Sequence, residues 1–286
     1  MTKIDFEKKI CPSCGNAAEK YFCSNCGEKL EIKGYSLNEF FSNILEGFYN
    51  FDSRFLRSLK YLIFKPGFLT NEFLIGRRVN YTRPFQLFII LNLIMLITSS
   101  FFNESIFSSS LFGHTNNTPY KKFAQNLIMN AHLEQNLTFE QYEIKFNNRL
   151  DNYSRTLIFL YIPIFAMALM LITRKRYFYE HLIHSIHSVS FILLVFGLII
   201  TPIIIILHTA NSFGLIVGVE NIDAYILPIL AISLVAYFYF SVRRFYNNTR
   251  FLSLIKSIFL LGAFFILFMF YRFLLFIFVF YSIKLF

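Results

Sequence analysis

The sequence predicts an all-α polytopic membrane protein with about five transmembrane helices, a small N-terminal zinc ribbon and juxtamembrane amphipathic helices. Three observations predict it. Of 286 residues, 56% are hydrophobic and only 15% charged, with a mean hydropathy of +0.52, more apolar surface than one soluble core can hide. Long apolar stretches recur from residue 85 onward. All four cysteines crowd between Cys11 and Cys26. The 39 phenylalanines and absent tryptophan suit lipid-facing helices better than a soluble catalytic domain.

The head comes first, at residues 1–34. Cys11-Pro-Ser-Cys14-Gly15 and Cys23-Ser-Asn-Cys26-Gly27 are two copies of C-x-x-C-G, with eight residues between Cys14 and Cys23. Two residues between thiolates let a tight turn aim both sulfurs at one ion, and the glycine can direct backbone N–H groups at them. Four thiolates close a tetrahedral site with no open position for water, so the expected cofactor is structural Zn²⁺, with iron the lesser alternative. So short a head has little core of its own, and metal binding should supply its folding energy. No cysteine is left for a disulfide, which places the head in a reducing compartment, the cytoplasm. The first 30 residues also lack the apolar core of a cleaved signal, so internal segments should direct insertion.

Lys29 to Gly34 reads as a charged linker, and residues 35–84 as amphipathic interfacial helices. Ser36 and Glu39 form a capping-box signature, followed by Leu37, Phe40, Phe41, Ile44, Leu45 and Phe48 on one face. A second helix starts at the N-cap Asp52 and runs toward Phe64, where Pro66 and Gly67 stop it. It sets Phe55, Leu56, Leu59, Leu62 and Ile63 against Arg54, Arg57 and Lys60. These three cations, with Arg77, Arg78 and Arg83, are candidate lipid headgroup contacts, each worth roughly 1 kcal/mol beside anionic lipid. Packing of the same helices on the bundle is the equal alternative.

Residues 85–286 form the transmembrane domain, with spans near 85–102, 156–173, 182–207, 224–241 and 255–281. Between the first two lies an asparagine-rich extracytoplasmic loop, 103–155, with one amphipathic helix near Phe123 to His132. Pro202 marks a kink in the over-long third span. The fifth is interrupted by Arg272, which allows one steeply tilted crossing or a re-entrant pair. Basic residues orient the chain: thirteen lie in residues 1–83, three at Arg174, Lys175 and Arg176, and four at Arg243, Arg244, Arg250 and Lys256, with none in 211–223. Because Lys and Arg concentrate on the cytoplasmic side, the N-terminus is expected inside and the C-terminus outside. Topology thus accounts for the net charge of +10, and no nucleic-acid partner is expected.

Glu180, His181, His184 and His187 stand where the third span begins. Histidines at i, i+3 and i+6 project within about 120° of one helix side, near enough for neighbours to share a metal or a proton. Such residues at membrane depth often mark ion paths or ligand sites, and Arg83, Asn92 and Arg272 are polar residues able to face them. In the interfacial alternative the histidines bond backbone or lipid phosphate and Glu180 pairs with a preceding arginine. The pattern is not H-E-x-x-H, and no phosphate loop or nucleophile elbow accompanies it.

The run Phe51-Asp52-Ser53-Arg54, then Lys65-Pro66-Gly67, Gly76-Arg77-Arg78, Tyr81 and Pro84, after a C-x-x-C-G pair, resembles the bacterial membrane proteins grouped as domain of unknown function 3667. Glu180, His181 and His187 match that family's Glu-His pair and later histidine. The resemblance implies a bacterial cytoplasmic membrane location and assigns no activity. Three functions are then open. The first is a noncatalytic scaffold or regulator whose ribbon docks a cytoplasmic protein partner, membrane lipid or the chain's own helices. The second is a small transporter or channel lined by Glu180, the three histidines and Arg272. The third is a lipid-modifying enzyme with His181 or His187 as general base, ranked last because no nucleophile is identifiable.

Overall fold

A computed structural model describes residues 9–18, 21–28, 30, 53–102, 110–134, 137–174, 176–200, 202–203, 206, 210 and 222–285. The helix expected over 36–48, the cap at Asp52 and most of the linker lie outside them.

A two-stranded antiparallel hairpin, β1 (Lys9–Ile10) and β2 (Ala17–Ala18), pairs Lys9 with Ala18 and Ile10 with Ala17 in the head. Helices follow: α1 (Ser53–Phe64), α2 (Phe68–Leu74), α3 (Pro84–Phe102), α4 (Leu111–Asn116), α5 (Lys121–Glu134), α6 (Phe139–Leu157), α7 (Tyr161–Thr173), α8 (Phe178–Leu194), α9 (Ile222–Tyr246) and α10 (Arg250–Leu285). A 3₁₀ turn, Ile158–Leu160, precedes α7, and a π-helical turn, Val195–Ile200, extends α8.

Helix α8 is the centre. From His184 to Leu194 every side chain is buried, because α3 and α7 flank it and the short α2 crosses its start. A helix covered all round needs its polar groups satisfied internally. Ser185 accordingly donates to the Ile162 carbonyl at 2.7 Å, and the Phe191 ring stacks on Tyr237 at 3.8 Å. Helix α10 closes the bundle against α9, α7 and α6.

The segment expected as a polar loop, 103–155, is mostly helical where it is described. Thr138 and Gln141 cap α6 reciprocally, and Tyr142, Phe146 and Leu150, one turn apart, are buried. Four-residue apolar spacing therefore outweighed the asparagine-rich composition. The re-entrant option for the last segment is not what forms. Helix α10 runs unbroken for 36 residues, about 54 Å against a hydrocarbon layer of about 30 Å. Its C-terminal half packs on the insert: Tyr271 donates to the Ser154 carbonyl at 2.7 Å, Arg149 to the Ser282 carbonyl, and Tyr153 meets Phe278 edge-on. Among the described residues one helix, Arg250–Lys284, is long and apolar enough by itself to cross a membrane. Phe139–Ser154 and Ile158–Thr173 pass together across a 50° bend, and Pro84–Thr98 is a shorter apolar helix.

Candidate functional site

In the head, Gly15 and Gly27 both adopt positive φ, 77° and 73°, which lets each C-x-x-C turn close. The amides of Gly15 and Gly27 donate to the carbonyls of Cys11 and Cys23 at 2.9 and 2.8 Å. The four Sγ atoms lie within 4.8 Å of one another, with Cys11–Cys26 and Cys14–Cys23 at 3.5 Å. A tetrahedral zinc–thiolate site has sulfurs about 3.7 Å apart, given bonds of about 2.3 Å, so the donor set fits that ion. The thiols are unequal. The Asn16 backbone N–H, then the Asn25 side chain, lower Cys14 to about 6. At Cys26 the Glu28 backbone N–H pulls downward, but desolvation and the three neighbouring thiols prevail and push it up to about 12. Four thiolates this close repel one another, and a bound cation would offset that repulsion.

The head is latched to the helices below it. Glu28, 3% exposed, accepts from the Ser13 hydroxyl at 2.7 Å and from the Arg78 and Val79 backbone N–H groups, both at 3.0 Å. Arg77 returns a bond to the Pro12 carbonyl at 2.8 Å and pairs with Glu72 at 3.5 Å. An open cleft of about 720 Å³ lies between Pro12, Ser13 and Cys14 above and Phe68, Glu72 and Tyr81 below. Glu28→Ala removes an ionised acceptor shared by two backbone donors, worth roughly 2–3 kcal/mol. Proteolysis of the head is expected to accelerate in that variant while its metal content stays that of wild type; unchanged proteolysis would refute the latch.

The platform under the head comprises α1, α2 and their connections. Gly67, at φ 78°, starts α2 so close to α9 that a Cβ there would sit 2.8 Å from the Ser241 carbonyl oxygen. Arg244 fastens the same turn by donating to the Pro66 carbonyl at 2.7 Å. Gly76, at φ 90°, ends α2, with the Gly76 and Arg77 amides returning to the carbonyls of Phe73 and Glu72. Lys65 lies over the rings of Tyr61 and Phe68, and Tyr81 meets both rings edge-on. Of the candidate headgroup contacts, Arg54, Arg57 and Lys60 are exposed along α1, and Arg83 is half-buried beside α3. Arg77 and Arg78 turn to the protein instead: Arg78 stacks on Phe73 at 4.5 Å and donates to its carbonyl.

The histidines abut this platform. His181 and His184 both place Nδ1 on the Tyr246 hydroxyl, at 2.7 and 3.2 Å, and His184 Nε2 lies 2.6 Å from the Ser241 hydroxyl. His187 Nδ1 meets the Thr70 hydroxyl at 3.0 Å. The three rings thus tie α8 to α9 and α2. Glu180 caps α8 by accepting from the Tyr177 N–H at 2.9 Å and pairs with Arg176, which also donates to the Phe245 carbonyl. Among the described residues the four cysteines are the one group of three or more His, Cys, Asp or Glu whose ligand atoms converge.

Arg272 does not join the histidines. Their partner Tyr246 immediately precedes α10, whereas Arg272 lies about 33 Å further along that helix. It adjoins His114 and Tyr120 of the insert, where burial and then the Arg272 charge hold His114 down at about 4, neutral at physiological pH. Sequence reasoning passed over Glu28, Thr70, Ser241 and Tyr246. Single hydroxyls and one acid carry no spacing signal.

The family model described as protein of unknown function DUF3667 matches residues 52–96, the family that the sequence motifs resemble. That stretch covers all of α1 and α2, the platform itself, and most of α3. No curated protein and no solved structure matches the chain.

Proposed function

With the platform as the part similar to DUF3667 proteins, we propose a noncatalytic regulatory scaffold of the bacterial cytoplasmic membrane. A cytoplasmic zinc ribbon serves as its metal-dependent latch. The carrying observation is the Glu28 carboxylate on the Arg78 and Val79 amides, which ties the metal-bearing fold to the turn between α2 and α3. That turn leads through α2 into Thr70 and Gly67, and so to α8 and α9. Metal occupancy then sets how firmly the platform is clamped onto the bundle.

Exposed apolar surface supports the polytopic reading. Leu93 and Ile97 on α3, Met167 and Leu171 on α7, Ile232 and Phe240 on α9, and Ile258, Phe259 and Ile266 on α10 all face outward. So large an exposed apolar surface over four helices fits lipid rather than water. Arg174 and Arg176, Arg243 and Arg244, and the latched head share the end taken as cytoplasmic.

The test joins two measurements on the full chain. Membranes carrying it are washed with alkaline carbonate, and the detergent-purified protein is assayed for metal by mass spectrometry beside Cys23→Ser/Cys26→Ser. The expected result is retention in the membrane and one zinc per chain that the double variant loses. Release by carbonate, or a double variant that keeps its zinc, overturns the reading.

A further inference from the structure

We infer that Arg272 and His114 form an oxyanion site, built for a phosphate group, at the end of the bundle opposite the cysteine centre. A phospholipid headgroup is the source that follows if the chain is a membrane protein as proposed above; free phosphate presents the same chemistry.

The first observation is a pair of missing acceptors. His114 is 1% exposed, and its Nδ1 lies 2.7 Å from the Tyr120 hydroxyl, while its Nε2 is buried with no partner among the described residues. When Tyr120 donates to Nδ1, the ring hydrogen resides on Nε2, leaving a neutral N–H donor unused. Arg272 repeats the pattern: among the described residues its buried Nε–H has no partner and no carboxylate pairs with it. Each buried donor without an acceptor is a penalty that native folds avoid. A water could take the hydrogen bonds but not the charge, whereas a phosphate supplies both, and the planar guanidinium matches its geometry.

Among the described residues no acid is paired with either group. The Phe276 ring lies 5.4 Å from His114, tilted, and Phe273 meets Tyr120 edge-on at 5.1 Å, so the residues one and four positions after Arg272 on α10 carry the phenol and the imidazole alongside it. Position supplies the second argument. Arg250 opens α10, and 22 residues of helix set Arg272 about 33 Å beyond it, close to one hydrocarbon thickness. With Arg250 at one headgroup layer, Arg272 lies at the other, where its neighbours Phe273 and Phe276 meet Tyr120, Phe123 and His114. Two turns back on the same face Phe265 is 40% exposed, an apolar track for an acyl chain below a bound headgroup.

Wild type, Arg272→Gln, Arg272→Lys and Tyr120→Phe are purified as full chains, and thermal melting identifies those that fold. Native mass spectrometry counts phospholipid retained from vesicles of phosphatidylglycerol and phosphatidylethanolamine. In a second arm inorganic phosphate is titrated into delipidated protein. The expected result is one retained phospholipid per wild-type chain, bound roughly 10- to 100-fold more weakly in Arg272→Gln, with Arg272→Lys intermediate. Arg272-dependent binding of inorganic phosphate without lipid retention upholds the same site with the free ion as its ligand. Lipid retention equal to wild type in folded Arg272→Gln, together with no phosphate binding in any variant, overturns the inference. Should Arg272→Gln not fold, Tyr120→Phe, which frees His114 Nδ1, decides by the same two readings. Carbonate release of the chain would sink the membrane reading alone, since the phosphate titration still judges the site.

Discussion

Gly67→Ala is expected to destabilise the protein by about 3 kcal/mol, seen as a lowered melting temperature of the detergent-purified chain. Two penalties add. At φ 78° any L-residue with a Cβ is strained by about 1–2 kcal/mol. The new Cβ would also sit 2.8 Å from the Ser241 carbonyl oxygen and 3.2 Å from its Cα, backbone atoms that yield only if α2 and α9 part. Gly15→Ala is the control, because it has a similar φ of 77° but no atom within 4 Å of the new Cβ, and should show the strain alone. Equal melting temperatures for the two variants would show that α2 does not lie on α9 as described.

Removing the metal is expected to have the largest effect of all. Binding of structural zinc to small cysteine modules is worth about 10–16 kcal/mol near neutral pH, and under the proposed function it is the folding energy of the head. A chelator should therefore expose the head to hydrogen exchange. It should also expose the Arg78 and Val79 amides, whose acceptor is a residue of the head. Spread of deprotection to the platform separates a latched head from a tethered one; fast exchange confined to residues 9–30 would defeat the latch. The pH dependence has a definite sign. Metal needs thiolates and protons compete for them, so affinity falls as pH falls. In the metal-free head Cys14 is lowered to about 6 and Cys26 pushed up to about 12, so a proton stays on Cys26 through the neutral range and leaves only as the cation displaces it. Metal retention should be complete at pH 7.5 and decline below about pH 6, read by mass spectrometry after dialysis.

Much of this was legible in the residues. The doubled C-x-x-C-G spacing located the sulfurs, because two intervening residues and a glycine leave the chain few other turns. The pattern of Phe55 and Leu62 against Arg54, Arg57 and Lys60 located α1, since an amphipathic face is a local property. Helix α6 was hidden because its buried Tyr142, Phe146 and Leu150 stand among asparagines and charges whose composition resembles a loop. Nothing in the histidine spacing fixes the neighbours of Arg272, which the rise of α10 carries about 33 Å from the start of that helix, to His114 and Tyr120.

The sequence by itself determined the local chemistry: a cysteine cluster, apolar helices, and the glycines required where φ is positive. Only the tertiary structure decided the pairings. Glu28 reaches Arg78 across 50 residues, His187 reaches Thr70 across 117, and Arg244 reaches Pro66 across 178. Spacing signals come from the repeat of one helix or turn, whereas these bonds depend on how separate helices cross, which is set by the packing of the whole apolar bundle.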